Sequence, residues 1–312
     1  MTELSIIIPI YNEELNIPTL YGRLKPVIEK IGVSYELVFV NDGSKDRSIQ
    51  LIKDLAAMDK TIRYIDFSRN FGHQVAVSAG LDLCVGEYAA IIDADLQDPP
   101  ELIEVLYNKT KEGFQVVYAK RRSRKDKNLF KRAAYKTFYR LLARISQVDI
   151  PLDTGDFRVM HRKVIDVLKD MPEQHKFLRG QIAWIGFNQT FVEYDRDVRA
   201  AGEPGYTYKK LFKLAFDGIT SFSNAPLRFA SIMGIIVFFI SFILICYSLI
   251  SYFFFKGDIP QGWTSTIISI LFIGGIQLLS IGIIGEYISR LQSDIRKRPL
   301  YIVKDSNFEE KE

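Results

Sequence analysis

Apolar and polar positions follow two periods along the first 120 residues. Short apolar runs of strand length, Leu4 to Ile10, Tyr35 to Val40, Ile62 to Phe67 and Ala89 to Ile92, are separated by stretches with apolar residues three or four apart. The runs are too short for helices and lack the alternation of a half-wet sheet, so they read as strands buried on both faces. Between them Ile17, Leu20, Leu24 and Ile28 share one helical face, Ile49 to Met58 forms a second helix, and the small-residue stretch Val75 to Leu83 a third. Strands alternating with helices predict an α/β fold with a mostly parallel sheet and helices on both faces. Farther on, Phe177 to Trp184 reads as a helix and Phe187 to Val192 as a strand.

The pattern then changes kind. No charged residue occurs from Phe229 to Phe255, and none from Gly262 to Gly285. Both stretches exceed the roughly 20 residues that span a bilayer core, which predicts transmembrane helices over residues 229–255 and 263–289. Residues 1–215 then form a cytoplasmic α/β domain, 216–228 a juxtamembrane segment and 290–312 a cytoplasmic tail. Leu4 starts a strand with no basic region or cleavage pattern ahead of it, so no cleaved signal is expected.

Charge matters through its placement. Lys209, Lys210, Lys213 and Arg228 flank the first apolar stretch and Arg290, Arg296, Lys297 and Arg298 the second, while the connection Lys256-Gly-Asp-Ile-Pro260 carries one positive charge. The positive-inside rule puts both flanks, and the large domain, on the cytoplasmic side of the plasma membrane. Residues 120–146 mix basic residues with apolar ones at helical spacing, which predicts an amphipathic helix on an anionic membrane surface. Nucleic acid is the competing partner for such a run, and the neighbouring spans favour lipid. Gly274, Gly275, Gly282 and Gly285 favour close helix contacts, hence a homo-oligomer. Cys84 and Cys246 lie in different predicted segments, so no disulfide is expected and the compartment is reducing.

Each strand run ends in a polar motif: Pro9-Ile-Tyr-Asn-Glu13, Asn41-Asp-Gly-Ser44, Ser68-Arg-Asn-Phe-Gly-His73 and Asp93-Ala-Asp-Leu-Gln-Asp-Pro-Pro100. In an open α/β sheet the carboxyl ends of the strands line the ligand crevice. Asp93 and Asp95, two apart on extended backbone, can converge on one hard cation, Mg2+ or Mn2+, of the kind that accompanies a diphosphate. Tyr11 offers a stacking surface, Asp42 an acceptor for the edge of a base and Arg69 a donor for base or phosphate. Asp98, ahead of Pro99, reads equally as a helix cap. His73 has no partner visible in the sequence and reads as a satisfied surface histidine.

These four motifs, in this order, resemble the inverting family 2 glycosyltransferases of the GT-A fold, a Rossmann-like, mostly parallel sheet. Within that family the chain looks most like the polyisoprenyl-phosphate glycosyltransferases, and the resemblance extends through Thr154-Gly-Asp-Phe-Arg158 and the two apolar stretches. It implies a nucleotide-sugar site lined by Pro9, Tyr11, Asn12, Glu13, Asp42, Arg69 and Asp93, a metal held by Asp93 and Asp95, and Asp156 as catalytic carboxylate. Arg121, Arg122, Arg158, Arg196, Arg199 and Lys209 are the candidates for holding an acceptor phosphate. A phosphate monoester has a second pKa of about 6 and is largely ionised at neutral pH, so Asp156 can instead orient the acceptor or the metal. Gln181-Ile-Ala-Trp184 lacks the arginine of the Gln-x-x-Arg-Trp signature carried by processive members, which implies single-sugar transfer. The expected reaction moves glucose from UDP-glucose to a polyprenyl phosphate such as undecaprenyl phosphate. GDP-mannose, a UDP-N-acetylhexosamine and a UDP-aminopentose are the other donors considered. A non-catalytic nucleotide-sugar-binding scaffold is the competing reading from another class.

Overall fold

The structure is a computed structural model and describes residues 2–122, 154–195, 225–254 and 263–308. Its α/β unit begins with β1 (Leu4–Ile10), α1 (Ile17–Ile31), β2 (Tyr35–Asn41), α2 (Ser48–Met58), β3 (Ile62–Phe67), α3 (His73–Leu83) and β4 (Tyr88–Ile91). It continues with α4 (Leu102–Thr110), β5 (Val116–Arg121), β6 (Thr154–His161), α5 (Arg162–Asp170), α6 (Leu178–Ile185) and β7 (Gln189–Tyr194). A separate unit holds two long helices, α7 (Ala225–Phe254) and α8 (Trp263–Arg296), after which β8 (Val303–Ser306) belongs again to the α/β unit.

Alternating side chains of each strand enter different layers, as a period of two requires. Leu4, Ile6, Ile8 and Ile10 pack with Leu20, Leu24, Ile52 and Ile103 of α1, α2 and α4. Ile7 points the other way and packs with Ala76, Val77, Val164 and Ile182 of α3, α5 and α6. Each fully buried Leu or Ile contributes roughly 1.5–3 kcal/mol. At Gly80 the approach of α3 to β1 is so close that a Cβ would collide with the Ile7 side chain.

The sheet order among the described residues is β7-β5-β6-β4-β1-β2-β3-β8. Strands β4, β1, β2 and β3 form the parallel centre, as the apolar runs predict. Two strands depart from that prediction. Thr154–His161 is a strand, running antiparallel between β4 and β5. Its glycine, aspartate and arginine hide its strand character from composition, since all three are poor strand formers or ordinarily solvent-facing. The second is β8, inside the segment expected to be a tail, which pairs antiparallel with β3.

The two long helices contact one another and have 30 and 34 residues, roughly 45 and 50 Å at about 1.5 Å per residue. Phe272–Arg296 is long and apolar enough to cross a membrane. Glu286 accepts a hydrogen bond from Arg290 Nε at 3.0 Å, one turn along the same helix. Residues 123–146 of the expected basic helix, the juxtamembrane residues 216–224, and Arg196, Arg199 and Lys209 lie outside the described residues.

β8 is fastened by side chains as well as by its ladder. Asn307 accepts the Tyr64 N–H at 2.7 Å and donates to Ile62 O at 2.9 Å, the Ser68 N–H donates to Ile302 O at 3.0 Å, and Tyr301 stacks on Phe67. Asn307→Ala removes two of these bonds at about 1 kcal/mol each. Amide exchange at Tyr64 should therefore accelerate by roughly tenfold or more, and unchanged exchange there would show that Asn307 does not hold the strand.

Candidate active site

The carboxyl ends of β1 and β2 are tied together before any ligand is considered. Asn12 takes the left-handed conformation, φ 55°, its N–H donating to Ser44 Oγ at 2.9 Å and its Oδ1 accepting the Lys45 N–H at 2.8 Å. The Glu13 N–H donates to Ser48 Oγ at 3.0 Å. Pro9 is buried in β1, whereas Tyr11 stands 44% exposed at the rim. Gly43 has φ 64°, and a Cβ there would strike the backbone of Arg69 and Asn70, so the β2 loop and the β3 loop touch only because this residue is glycine.

Asp42 fixes the β3 loop from below. Its carboxylate accepts Asn70 Nδ2 at 2.9 Å and the backbone N–H groups of Phe71 at 2.6 Å and Gly72 at 3.0 Å. Burial pushes its carboxyl up, and the two backbone donors oppose that. Arg69 is exposed, its guanidinium 4.0 Å from the centre of the Phe71 ring.

Asp93 and Asp95 follow β4 in a turn that departs from ordinary backbone. Leu96 beside them has φ 58°, a conformation that disfavours a leucine by about 1–2 kcal/mol and is held because the side chain is buried in the core. The Gln97 N–H donates to Asp95 Oδ1 at 3.1 Å. Asp93 Oδ1 is buried and receives no hydrogen bond. Burial pushes the Asp93 carboxyl up to about 6, with His73 working the other way. Two carboxylates two residues apart, one with a buried oxygen lacking a donor, are a donor set suited to a hard divalent cation. No group of three or more His, Cys, Asp or Glu residues able to hold a metal is found among the described residues, so any such ion draws further oxygens from its ligand.

Asp156 comes to this place through the β6 ladder. Ile91 of β4 pairs with Arg158 of β6, and continuing that register by two residues sets Asp93 opposite Asp156. Asp156 Oδ1 accepts Arg179 Nε at 2.9 Å and Arg158 Nη2 at 3.2 Å. Its Oδ2 accepts Gln74 Nε2 at 3.3 Å and lies 3.3 Å from His73 Nε2. The same His73 nitrogen lies 3.6 Å from Asp93 Oδ1, so the imidazole stands between the two carboxylates. Burial by itself would raise the Asp156 carboxyl, but Arg179, His73 and Arg158 hold it well below the usual carboxylate range. Burial would lower His73, and the charges of Asp93 and Asp156 outweigh it and raise the imidazole to about 9.

The expected phosphate-binding residues divide. Arg158 is almost fully buried and bound to Asp156, and Arg121 lies against Gly155 with an ion pair to Asp98 at 3.8 Å. Asp98 also accepts from the Tyr194 hydroxyl and is 1% exposed, so it is an ion-pair partner and not the cap of α4, a position taken by Glu101. Arg122 is exposed and pairs with Asp195 at 3.6 Å. His73 is corrected from a surface histidine to a bridge between two acids. Gln74 and Arg179 join the site with no sequence signal beyond the nearness of Gln74 to the Arg69 motif.

Comparison with known proteins gives the family. The profile described as glycosyl transferase family 2 matches residues 5–168, and one described as GtrB C-terminal hairpin matches residues 225–291. An uncharacterized glycosyltransferase of Bacillus subtilis, YkcC, is 50% identical over 306 residues, covering 97% of this chain and 93% of its own. The bactoprenol glucosyl transferase of Shigella phage SfII is 40% identical over 305 residues, covering 98% of each chain. Looser by far is a crystal structure of glucosyl-3-phosphoglycerate synthase from Mycobacterium tuberculosis with Mn2+, UDP and glucosyl-3-phosphoglycerate. It has 16% identity and a TM-score of 0.45, covering 70% of this chain and 78% of that one. The resemblance carried by the four strand-end motifs is borne out across almost the whole length, and the chain belongs to glycosyl transferase family 2.

Proposed function

We propose that the protein transfers one glucose from UDP-glucose to a polyprenyl phosphate, with inversion, at the cytoplasmic face of the plasma membrane. One observation carries this reading: Asp93, two residues before Asp95, is bridged by His73 to Asp156, which also holds Arg158 and Arg179. A diphosphate leaving group needs counter-charge on one side of the sugar, and a phosphate nucleophile needs cationic donors on the other. Relatives named bactoprenol glucosyl transferase, aligned over 98% of the chain, support glucose and a polyprenyl acceptor.

Tyr11 offers its exposed ring to the base, and Asp42 places Arg69 by holding the loop that carries it. Asp93 and Asp95 fit Mg2+ or Mn2+, which when bound supplies charge neutralisation for the departing diphosphate. Asp156, kept ionised by its cations, is a weak proton acceptor. The acceptor, with its second pKa of about 6, needs no base. Asp156 therefore serves as the anchor that orients Arg179 toward the acceptor phosphate, with the buried Arg158 bracing the carboxylate from behind. An oxygen of that phosphate forms the new bond to the anomeric carbon as the bond to the diphosphate breaks, and UDP leaves with the electron pair.

Holding the site at the bilayer surface brings it within reach of a lipid-confined phosphate. Two charge-free stretches, their Lys and Arg flanks and the hairpin match support two spans with the α/β unit and both termini in the cytoplasm. The basic segment 120–146 would lie on anionic lipid, and glycines of α8 support a homo-oligomer.

Purified protein given undecaprenyl phosphate, Mg2+ or Mn2+ and radiolabelled UDP-glucose should move label into the lipid extract. No extractable label with either ion overturns the reaction, and label from another sugar nucleotide alone changes the donor. Asp156→Asn should lower turnover by about a hundredfold while leaving UDP-glucose affinity by calorimetry within about twofold. Turnover within a few-fold of wild type would remove Asp156 from the chemistry.

A further inference from the structure

Gln74, in the first turn of α3, joins two elements through one amide. Its Nε2 donates to Asp156 Oδ2 at 3.3 Å, and its Oε1 accepts the N–H of Leu178 at 3.2 Å. Leu178 is the first residue of α6, where a backbone N–H has no acceptor within its own helix. Phe177, at the N-cap, supplies no side-chain cap. The distant Gln74 amide performs that service. One residue further along α6, Arg179 donates to the other oxygen of the same carboxylate at 2.9 Å. The sense of the amide is fixed by its partners, since reversing it would set oxygen against carboxylate and NH2 against N–H.

We propose that Gln74 is a positioning residue for glycosyl transfer: it docks the start of α6 on Asp156 and thereby sets where Arg179 stands for the acceptor phosphate. This rests on the reading of the Asp156 cluster as the acceptor side of the site. The role is one of alignment and not of folding, because α6 is anchored separately by Leu178 and Ile182 in the core beside α5. Without Gln74 the helix stays folded while its first turn loses its tie to the carboxylate. Displacements of about 1 Å in a reacting constellation cost on the order of a hundredfold in rate.

Two variants test this, Gln74→Ala and Gln74→Asn, the second keeping an amide one methylene too short to reach both partners. For each, kcat/KM for undecaprenyl phosphate should fall by about 10- to 100-fold, with UDP-glucose affinity by calorimetry within about twofold and the melting temperature nearly unchanged. Adding Arg179→Ala to Gln74→Ala should cost less than the product of the single losses, since both act through one geometry. Amide exchange at Leu178, which needs no sugar, should accelerate in Gln74→Ala. The inference is overturned by a kcat/KM for lipid within about twofold of wild type, by an equal loss of UDP-glucose affinity, or by unchanged exchange at Leu178 with an active wild type. A wild type that transfers no sugar to lipid overturns the proposed reaction first, and this inference with it.

Discussion

Antiparallel pairing of β6 with β4 is the constraint on which the site depends. Thr154–His161 comes back into the sheet beside the strand that ends at the acid pair, and its register sets Asp156 across from Asp93. A register slipped by one residue would turn every side chain of β6 to the opposite face, removing Asp156 from the crevice and Phe157 and Val159 from the core. The packing that buries Phe157 and Val159 therefore also fixes the spacing of the two carboxylates.

Electrostatics then separates two residues of the same type. Asp93 is half-buried with one oxygen enclosed and without a hydrogen bond, and this enclosure, with other acids nearby, raises its carboxyl to about 6, so its neighbourhood favours an added cation. Asp156 is more enclosed but already holds two arginines and the histidine, and stays ionised. Environments that push like groups apart in this way mark division of labour in catalytic sites. The result is a cation-seeking carboxylate and a cation-bearing one joined by His73, which the proposed reaction assigns to donor and acceptor respectively.

Much of this was legible in the sequence where local pattern decides. The apolar runs of β1 to β4 are buried on both faces, and their carboxyl ends, which carry Pro9, Tyr11, Asp42, Arg69, Asp93 and Asp95, follow directly from where each run stops. What failed to show depends on contacts far apart in the chain. β6 has too many polar residues to read as a central strand, and β8, Val-Lys-Asp-Ser, has no apolar pattern at all. His73, Gln74 and Arg179 sit at helix starts whose relation to Asp156 exists only after α3, α6 and β6 have packed. The sequence marks Arg121 by its charge alone, and the structure gives that charge a buried partner in Asp98.

The central claim is that donor metal and acceptor phosphate meet across β4 and β6. Phosphorus relaxation of a short-chain polyprenyl phosphate, measured with Mn2+ and UDP bound to the full chain, reads that separation directly. The account predicts strong, saturable broadening of the acceptor phosphate resonance that disappears when Mn2+ is replaced by Mg2+. An acceptor phosphate that binds yet relaxes as it does with Mg2+ would contradict it, because the two substrates would then occupy separate places on the protein.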